Sequence, residues 1–180
     1  MVGNDIVDLK EAENASNWQR PRWLDKLFTI SEKHLIHNSE NSFLMVWHLW
    51  SMKEAAYKLF IQTNPSRFYN PKGFECSISD NSGVVEFKAF KCFVQTKITS
   101  NYIISEAHLE YQKLTSEIIK FTTADYNKQS KELKSRLIEF VGRLHHLKKN
   151  EFGVPTLYNG KEALNVSLTH HGCYGAYAIG

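Results

Sequence analysis

The chain has 180 residues, of which 42% are hydrophobic and 23% charged, so it can bury the core of one medium domain or of two small halves. No apolar run approaches the roughly 20 residues of a membrane span, the first residues lack the pattern of a secretion signal, and three scattered cysteines argue against a disulfide scaffold and predict a cytoplasmic protein. The net charge of +3 is too small to indicate a nucleic-acid partner, but it permits an anionic one.

The first third of the chain predicts one strand and two helices. Residues 2–9 are mostly apolar and predict a short buried strand that carries Asp5. Residues 29–37 predict a short helix with Ser31 as its N-cap. Residues 42–61 carry the clearest helix pattern of the chain, because large apolar side chains recur at helical spacing. A carboxylate in an apolar strand is costly unless it is paired or binds a metal, so Asp5 is either functional, a strand-end cap or a salt-bridged acid.

The rest of the chain predicts an antiparallel meander, a basic helix and two closing strands. Residues 73–109 contain four β-prone runs separated by turn residues, and residues 113–120 are ambiguous. Residues 127–149 predict a helix with a leucine stripe, which the following Phe-Gly-Val-Pro is expected to end. Residues 164–169 and 173–179 predict strands around a His-His-Gly turn. These elements indicate an α+β fold.

Lys53, Glu54 and Lys58 form a charged group on the long helix. Helical spacing places Glu54 and Lys58 one turn apart, on a face that also carries Trp47 and Trp50. A glutamate can hold Mg²⁺ or act as a base, and a lysine one turn away can contact a phosphate. The alternative is a surface ion pair worth only about 0.3–0.5 kcal/mol, and taken alone this group favours that alternative.

The segment 167–172 places hydroxyls, imidazoles and a glycine at the end of a strand. Such groups can surround an anion, but a polar hairpin turn explains them equally well. Glu32, His34 and His37 lack a further well-spaced metal ligand, so we expect them on the surface.

Three segments together resemble the 4′-phosphopantetheinyl transferase superfamily. They are Gly-Asn-Asp-Ile-Val at residues 3–7, Trp-Ser-Met-Lys-Glu-Ala-Ala-Tyr-Lys at 50–58 and Val-Ser-Leu-Thr-His at 166–170. The family patterns are a G-x-D-[IV] strand, a W/F-x-x-K-E-[AS]-x-x-K helix and a [VN]-[ST]-[IL]-[ST]-H strand. Residues 43–109 and 125–179 further resemble the two halves of the larger, surfactin-synthetase-activating type. The resemblance implies a fold of antiparallel sheets with packed helices.

The resemblance also implies a Mg²⁺-dependent transferase with holo-acyl-carrier-protein synthase activity. The phosphopantetheine arm of coenzyme A moves to a serine of an acyl or peptidyl carrier protein, and 3′,5′-ADP leaves. On the matched positions Asp5 and Glu54 are the metal ligands, and Glu54 also takes the serine proton directly or through water. Lys58 matches the lysine near the reacting phosphate, so the catalytic residues implied are Asp5, Glu54 and Lys58.

Three further residues are implied to contact coenzyme A. Lys53 is a weaker phosphate contact, and Thr169 and His170 match the residues that hold the 3′-phosphate and adenosine end. Val7 stands where the larger type usually has a second acid, and Val154 stands where its G-K-P lysine contacts phosphate. The missing lysine has three candidate replacements: Lys148, Lys149 and Lys161. These departures motivate an alternative function, a non-catalytic module that binds coenzyme A or a carrier protein.

The order of the segments differs from that of the larger type. There the histidine half comes first, whereas here the aspartate segment comes first and the histidine segment last. The short holo-acyl-carrier-protein synthases share this order, but they are shorter trimers with sites between subunits. We therefore predict a circularly permuted pseudo-dimer with halves at residues 1–112 and 113–180. It is expected to be a monomer, with an expanded short-type trimer as the alternative.

Overall fold

Over residues 1–110 and 114–180, which it describes, the computed structural model has two five-stranded antiparallel sheets and five α-helices. The first unit comprises β1 Val2–Asp8, α1 Leu9–Ala15, α2 Trp23–Leu27, α3 Ile30–Asn38, α4 Ser42–Thr63, β2 Glu75–Ser79, β3 Ser82–Phe87, β4 Phe90–Ile98 and β5 Tyr102–His108. The second unit comprises β6 Thr115–Lys120, α5 Tyr126–Val141, β7 His146–Lys149, β8 Pro155–Asn159, β9 Glu162–His171 and β10 Tyr174–Ile179. The predicted α+β class, with helices on antiparallel sheets, is confirmed. None of the helices in the described part of the chain is long and apolar enough to cross a bilayer.

Both sheets are built in the same order along the chain. Each unit begins with a strand, continues through a long helix and ends in a four-stranded meander, whose last strand pairs with the first strand. The resulting orders are β1-β5-β4-β3-β2 and β6-β10-β9-β8-β7. This match is what two related halves in one chain would produce. The predicted boundary between residues 112 and 113 lies outside the described residues and stays a prediction.

Helix α4 packs directly against β1, and Gly3 makes this close approach sterically feasible. A Cβ atom at Gly3 would lie 1.9 Å from the carbonyl oxygen of Ala55 and 2.7 Å from the backbone nitrogen of Leu59. Both atoms belong to the helix backbone, so no side-chain rotation can relieve the clash. The contact places the middle of α4 over the strand that carries Asp5.

We expect Gly3→Ala to lower the free energy of unfolding by about 3 kcal/mol, because α4 must move away from β1. Urea denaturation followed by tryptophan fluorescence measures the loss. Gly160→Asn is the control: Gly160 has open space around it and a φ of 61°, which Asn tolerates, so the change there should stay below about 0.5 kcal/mol. Equal losses in the two variants would contradict the role of close packing at Gly3.

Each unit has its own hydrophobic core, and a third cluster joins the units. The larger core packs α3 and α4 against the first sheet, and the smaller one packs α5 against the second sheet. The joining cluster combines Ile6 and Ile104 of the first unit with Tyr174 and Ala176 of the second.

The two sheets also meet along the outer edge of β1. Alternate side chains of β9 accept hydrogen bonds from alternate backbone N–H groups of β1: Ser167 Oγ from Asn4 at 3.0 Å, Thr169 Oγ1 from Ile6 at 3.3 Å and His171 Nδ1 from Asp8 at 3.0 Å. Unpaired N–H groups at a sheet edge are costly when buried and attract further strands when exposed. These three contacts, called here the β9–β1 side-chain ladder, satisfy the edge and align the two sheets.

Two predicted details of the helices are wrong. The N-cap of α3 is Thr29 rather than Ser31, because Thr29 and Glu32 form a reciprocal capping box. The basic helix ends at Val141 instead of residue 149, because Gly142 adopts a φ of 97° that the helix cannot continue through. The end of the predicted helix forms β7, which pairs with β8; Phe-Gly-Val lies between the two strands, and Pro155 is the first residue of β8.

Candidate functional site

Asp5 lies in the middle of β1 and is 8% exposed. Its Oδ1 accepts hydrogen bonds from Lys58 Nζ at 2.8 Å and from Thr169 Oγ1 at 3.0 Å. Lys58 also donates to the backbone carbonyl of Asn4 at 2.9 Å. Within residues 1–110 and 114–180, the hydrogen bonds to this carboxylate all end on Oδ1, which leaves Oδ2 for a cation. The structure thus joins three predicted site residues from β1, α4 and β9.

Glu54 lies one helical turn before Lys58 and shares its electrostatic surroundings. Burial raises the pKa of Glu54 to about 7, the negative charge of Asp5 contributes to the rise, and Lys58 opposes it. Two carboxylates that repel each other in a partly buried place form the donor set that a hard divalent cation neutralises. Asp5 and Glu54 therefore fit Mg²⁺.

Val7, at the position of the second acid of the larger type, is a core residue here. Its side chain is 3% exposed and packs in the larger hydrophobic core. The described residues contain no group of three or more His, Cys, Asp or Glu side chains that could hold a metal ion. A cation between Asp5 and Glu54 would therefore take its remaining ligands from water and from phosphate oxygens, as Mg²⁺ commonly does.

A cleft of about 280 Å³ opens beside Asp5, between the two units. Its lining includes three lysines and the predicted residues Thr169 and His170, and Asp5 is the only acid among its lining residues. Burial lowers the pKa of His170, and the positive charges of nearby lysines and of His171 lower it further. The lysines of the cleft are Lys58, Lys134 and Lys149. This concentration of positive charge suits an anion that carries several phosphate groups.

Lys149 is the candidate replacement lysine that lines the cleft. The ammonium of Lys148 instead lies over the ring of Tyr158, 5.7 Å from its centroid. Lys161 is exposed in the turn between β8 and β9, and Val154 is buried. The alternation of side chains along β7 separates the two neighbouring lysines, a distinction that required knowledge of the strand.

Sequence reasoning missed the contribution of α5 to the cleft. Tyr126, Ser130 and Lys134 recur at intervals of four residues and all line it. The ring of Tyr126 lies 4.4 Å from the ring of His170, measured between centroids. The helical spacing was visible in the sequence, but the face that meets β9 depends on tertiary packing.

The structure buries the side chain of Lys53 outside the cleft that Asp5, Lys58, Thr169 and His170 line. Its side chain is 1% exposed, and its ammonium pairs with Glu32 at 2.7 Å. The same group donates to the backbone carbonyls of Pro71 and Phe74. An ammonium has three N–H donors, and these contacts use all three. The phosphate contact implied by the family resemblance is therefore not available to Lys53, which anchors α3 and the chain at 71–74 to α4.

We expect Lys53→Met to lower the free energy of unfolding by about 3–5 kcal/mol, because it leaves the buried Glu32 carboxylate unpaired. Lys33→Met is the matched control, since Lys33 pairs with Asp25 on the surface, where such pairs contribute about 0–1 kcal/mol. Urea denaturation of both variants measures the difference. A small loss for Lys53→Met, similar to that of the control, would contradict the anchoring role.

The sequence matches the model of a known family. A family model of the 4′-phosphopantetheinyl transferase superfamily matches residues 1–121. The matched range contains Asp5, Glu54 and Lys58, and it ends before the strand that carries Thr169. Among curated protein sequences, none matches the chain. The family model covers 121 of the 180 residues, and the chain therefore belongs to the 4′-phosphopantetheinyl transferase superfamily.

Proposed function

We propose that this protein transfers the 4′-phosphopantetheine arm of coenzyme A to a serine of an acyl or peptidyl carrier protein, with Mg²⁺ as cofactor. One observation supports the proposal most strongly: Asp5, Lys58 and Thr169 are hydrogen-bonded together beside a cleft lined by three lysines. Motif residues from distant parts of the chain thus lie together where a polyanion can bind. Membership of the superfamily supports a transferase that uses coenzyme A and acts on carrier proteins.

Asp5 and Glu54 are the residues that would hold Mg²⁺. When bound, the ion neutralises charge on the pyrophosphate of coenzyme A and on the departing 3′,5′-ADP. Burial and, second to it, the negative charge of Asp5 raise the pKa of Glu54, and a cation would relieve both effects, which supports this assignment.

Glu54 and Lys58 carry the two remaining tasks of the reaction. The serine oxygen attacks the phosphorus that bears the pantetheine arm, the bond from that phosphorus to the bridging oxygen breaks, and 3′,5′-ADP departs with the electron pair. Glu54 accepts the serine proton, directly or through water. Lys58 uses two N–H groups on Asp5 and Asn4, so its third can contact a phosphate oxygen.

The basic cleft would bind the phosphates of coenzyme A. Lys134 and Lys149 supply positive charge from α5 and β7, and His170 lines the same cleft. Lys149 takes over the role of the lysine that the larger type has at the position of Val154. In this proposal Lys53 has no contact with coenzyme A.

We further propose that the protein works as a monomer. Asp5 and Lys58 come from the first unit and Thr169 and His170 from the second, and all four line one cleft within a single chain. No second copy is required to complete it. Light scattering during gel filtration should give the mass of one chain for the active species, whereas an obligate trimer would support the short-type alternative.

The test of the reaction is the mass of the carrier. The protein is incubated with coenzyme A, Mg²⁺ and a panel of apo carrier proteins, and each carrier is then weighed. We expect at least one to gain the mass of one phosphopantetheine arm, and Asp5→Ala and Glu54→Ala to abolish the gain. No gain on any carrier would count against the transferase, and full activity of either variant would reject the metal assignment.

Val7 and Val154 are buried apolar residues at positions where the larger type has an acid and a lysine, and this favours the second candidate, a non-catalytic module that binds coenzyme A or a carrier. The same samples distinguish it. Tight binding of coenzyme A without Mg²⁺ and without transfer would support that module instead of the enzyme.

A further inference from the structure

The hydroxyl of Thr169 is fully used by the first unit. It donates its single hydrogen to Asp5 Oδ1 at 3.0 Å and accepts a hydrogen bond from the Ile6 backbone N–H at 3.3 Å. The side chain is buried, with 6% exposure. A phosphate oxygen can only accept, so Thr169 cannot bind it while its one hydrogen is given to Asp5.

We propose that Thr169 is a positioning residue for the Asp5 carboxylate rather than a contact for the 3′-phosphate of coenzyme A. Together with Lys58 it holds Oδ1, so that Oδ2 would be the oxygen available to a cation. Hydrogen bonds of this kind commonly orient the carboxylates that ligate metals. The inference about the cation rests on the proposed function, whereas the Thr169–Asp5 interaction can be tested without it.

Ser167 provides a matched comparison on the same strand. Its hydroxyl accepts from the Asn4 backbone N–H at 3.0 Å, as Thr169 accepts from Ile6. Both belong to the β9–β1 side-chain ladder. Of the two, only Thr169 donates a hydrogen bond to Asp5 within the part of the chain that the structure describes. Ser167→Ala therefore removes an equivalent backbone contact without touching the carboxylate.

The first experiment is a double-mutant cycle with Thr169→Val and Asp5→Ala, measured by urea denaturation without metal or nucleotide. Thr169→Val removes the hydrogen bond from Ile6 both in the wild-type background and in the Asp5→Ala background, so the cost of losing it cancels when the two changes in unfolding free energy are compared. We expect the unfolding constant of the double variant to depart from additivity by at least about fivefold. The cycle of Ser167→Ala with Asp5→Ala should be additive within about twofold. Additivity in both cycles would overturn the proposal.

The second experiment separates metal binding from nucleotide binding. Calorimetry measures the Kd for Mn²⁺ alone, and separately the Kd for 3′,5′-ADP in EDTA, for wild type, Thr169→Val and Thr169→Ser. Thr169→Val should weaken Mn²⁺ binding about tenfold and leave 3′,5′-ADP binding within about twofold. Thr169→Ser, which keeps the hydroxyl, should restore Mn²⁺ binding.

The opposite pattern, weaker 3′,5′-ADP binding with unchanged Mn²⁺ binding, would show a phosphate contact and overturn the proposal. If wild type transfers nothing and binds neither probe, the proposed function fails. The cycle with Asp5 still decides in that case whether Thr169 holds the carboxylate.

Discussion

Replacing Glu54 with glutamine is expected to lower transfer by about 10³-fold or more and at the same time to make the fold more stable at pH 8. Glutamine keeps the size of the side chain but neither ligates a metal as a carboxylate nor accepts the serine proton. It also removes a negative charge that burial and Asp5 disfavour. A group selected for chemistry commonly has such an opposite effect on stability.

The direction of the stability change follows from the pKa of Glu54. The folded-state value of about 7 lies above the ordinary value of 4.5, so the carboxyl favours the folded state below pH 4.5, and this contribution is lost as pH rises through 7. Glutamine does not ionise, so the stability of the variant relative to wild type should increase as pH rises from 4.5 through 7. Allowing for the partial exposure of the side chain, we expect a gain of about 2 kcal/mol at pH 8.

Urea denaturation at pH 4 and pH 8, without metal, measures the stability gain, and the carrier mass assay measures transfer. Glu139→Gln is the control, because Glu139 is exposed on α5 and should change neither quantity. A Glu54→Gln variant that transfers normally would reject the catalytic role. A variant that loses both transfer and stability would indicate that Glu54 supports the fold.

Reversing two charges in the basic cleft is expected to weaken coenzyme A binding by about 100-fold. Lys134→Glu and Lys149→Glu together replace two of the three lysines that line the cleft. Each reversal at an exposed position is assigned about 1.4 kcal/mol, which corresponds to a tenfold change in Kd. Because the lysines are solvent-exposed, the effect should shrink as salt rises.

The control for this prediction has the same change in net charge. Lys148→Glu with Lys161→Glu alters two lysines outside the cleft, so it should change the Kd by less than about threefold. Calorimetric titration with coenzyme A at two salt concentrations compares the pairs. Equal weakening by both would mean that overall charge, rather than the cleft, attracts the ligand.

The strands of the first unit and its two longest helices, α3 and α4, were readable from the sequence because their signals are local, whereas α1 and α2 were not predicted. The apolar strand around Asp5, the helical spacing of the long helix and the turns between the meander strands each lie within a few neighbouring residues. Two of the three segments that carry the family resemblance lie in this unit, and the family model confirms the resemblance over residues 1–121.

The features that escaped prediction depend on distant partners. Lys53 is buried because Glu32 and the backbone carbonyls of residues 71 and 74 bind its ammonium. Lys58 and Thr169 both donate hydrogen bonds to Asp5, which is far from each of them in sequence. The end of α5 was missed for another reason, because leucine spacing continued past Gly142 while its backbone did not. The hydrophobic periodicity of a sequence indicates which face of a helix is apolar, but it does not indicate which element packs against that face.

The β9–β1 side-chain ladder has a consequence for how the site forms during folding. The four-stranded meander of each sheet can assemble from neighbouring strands, but the contacts of the ladder join residues 163 positions apart. Contacts of such sequence separation form late, after the closure of long loops. The hydroxyl of Thr169 therefore reaches Asp5 only when two largely formed sheets dock in register. A shift of β9 by one residue would turn Leu168 and His170 toward β1 instead. The site is therefore completed in the same step in which the two sheets dock in the correct register.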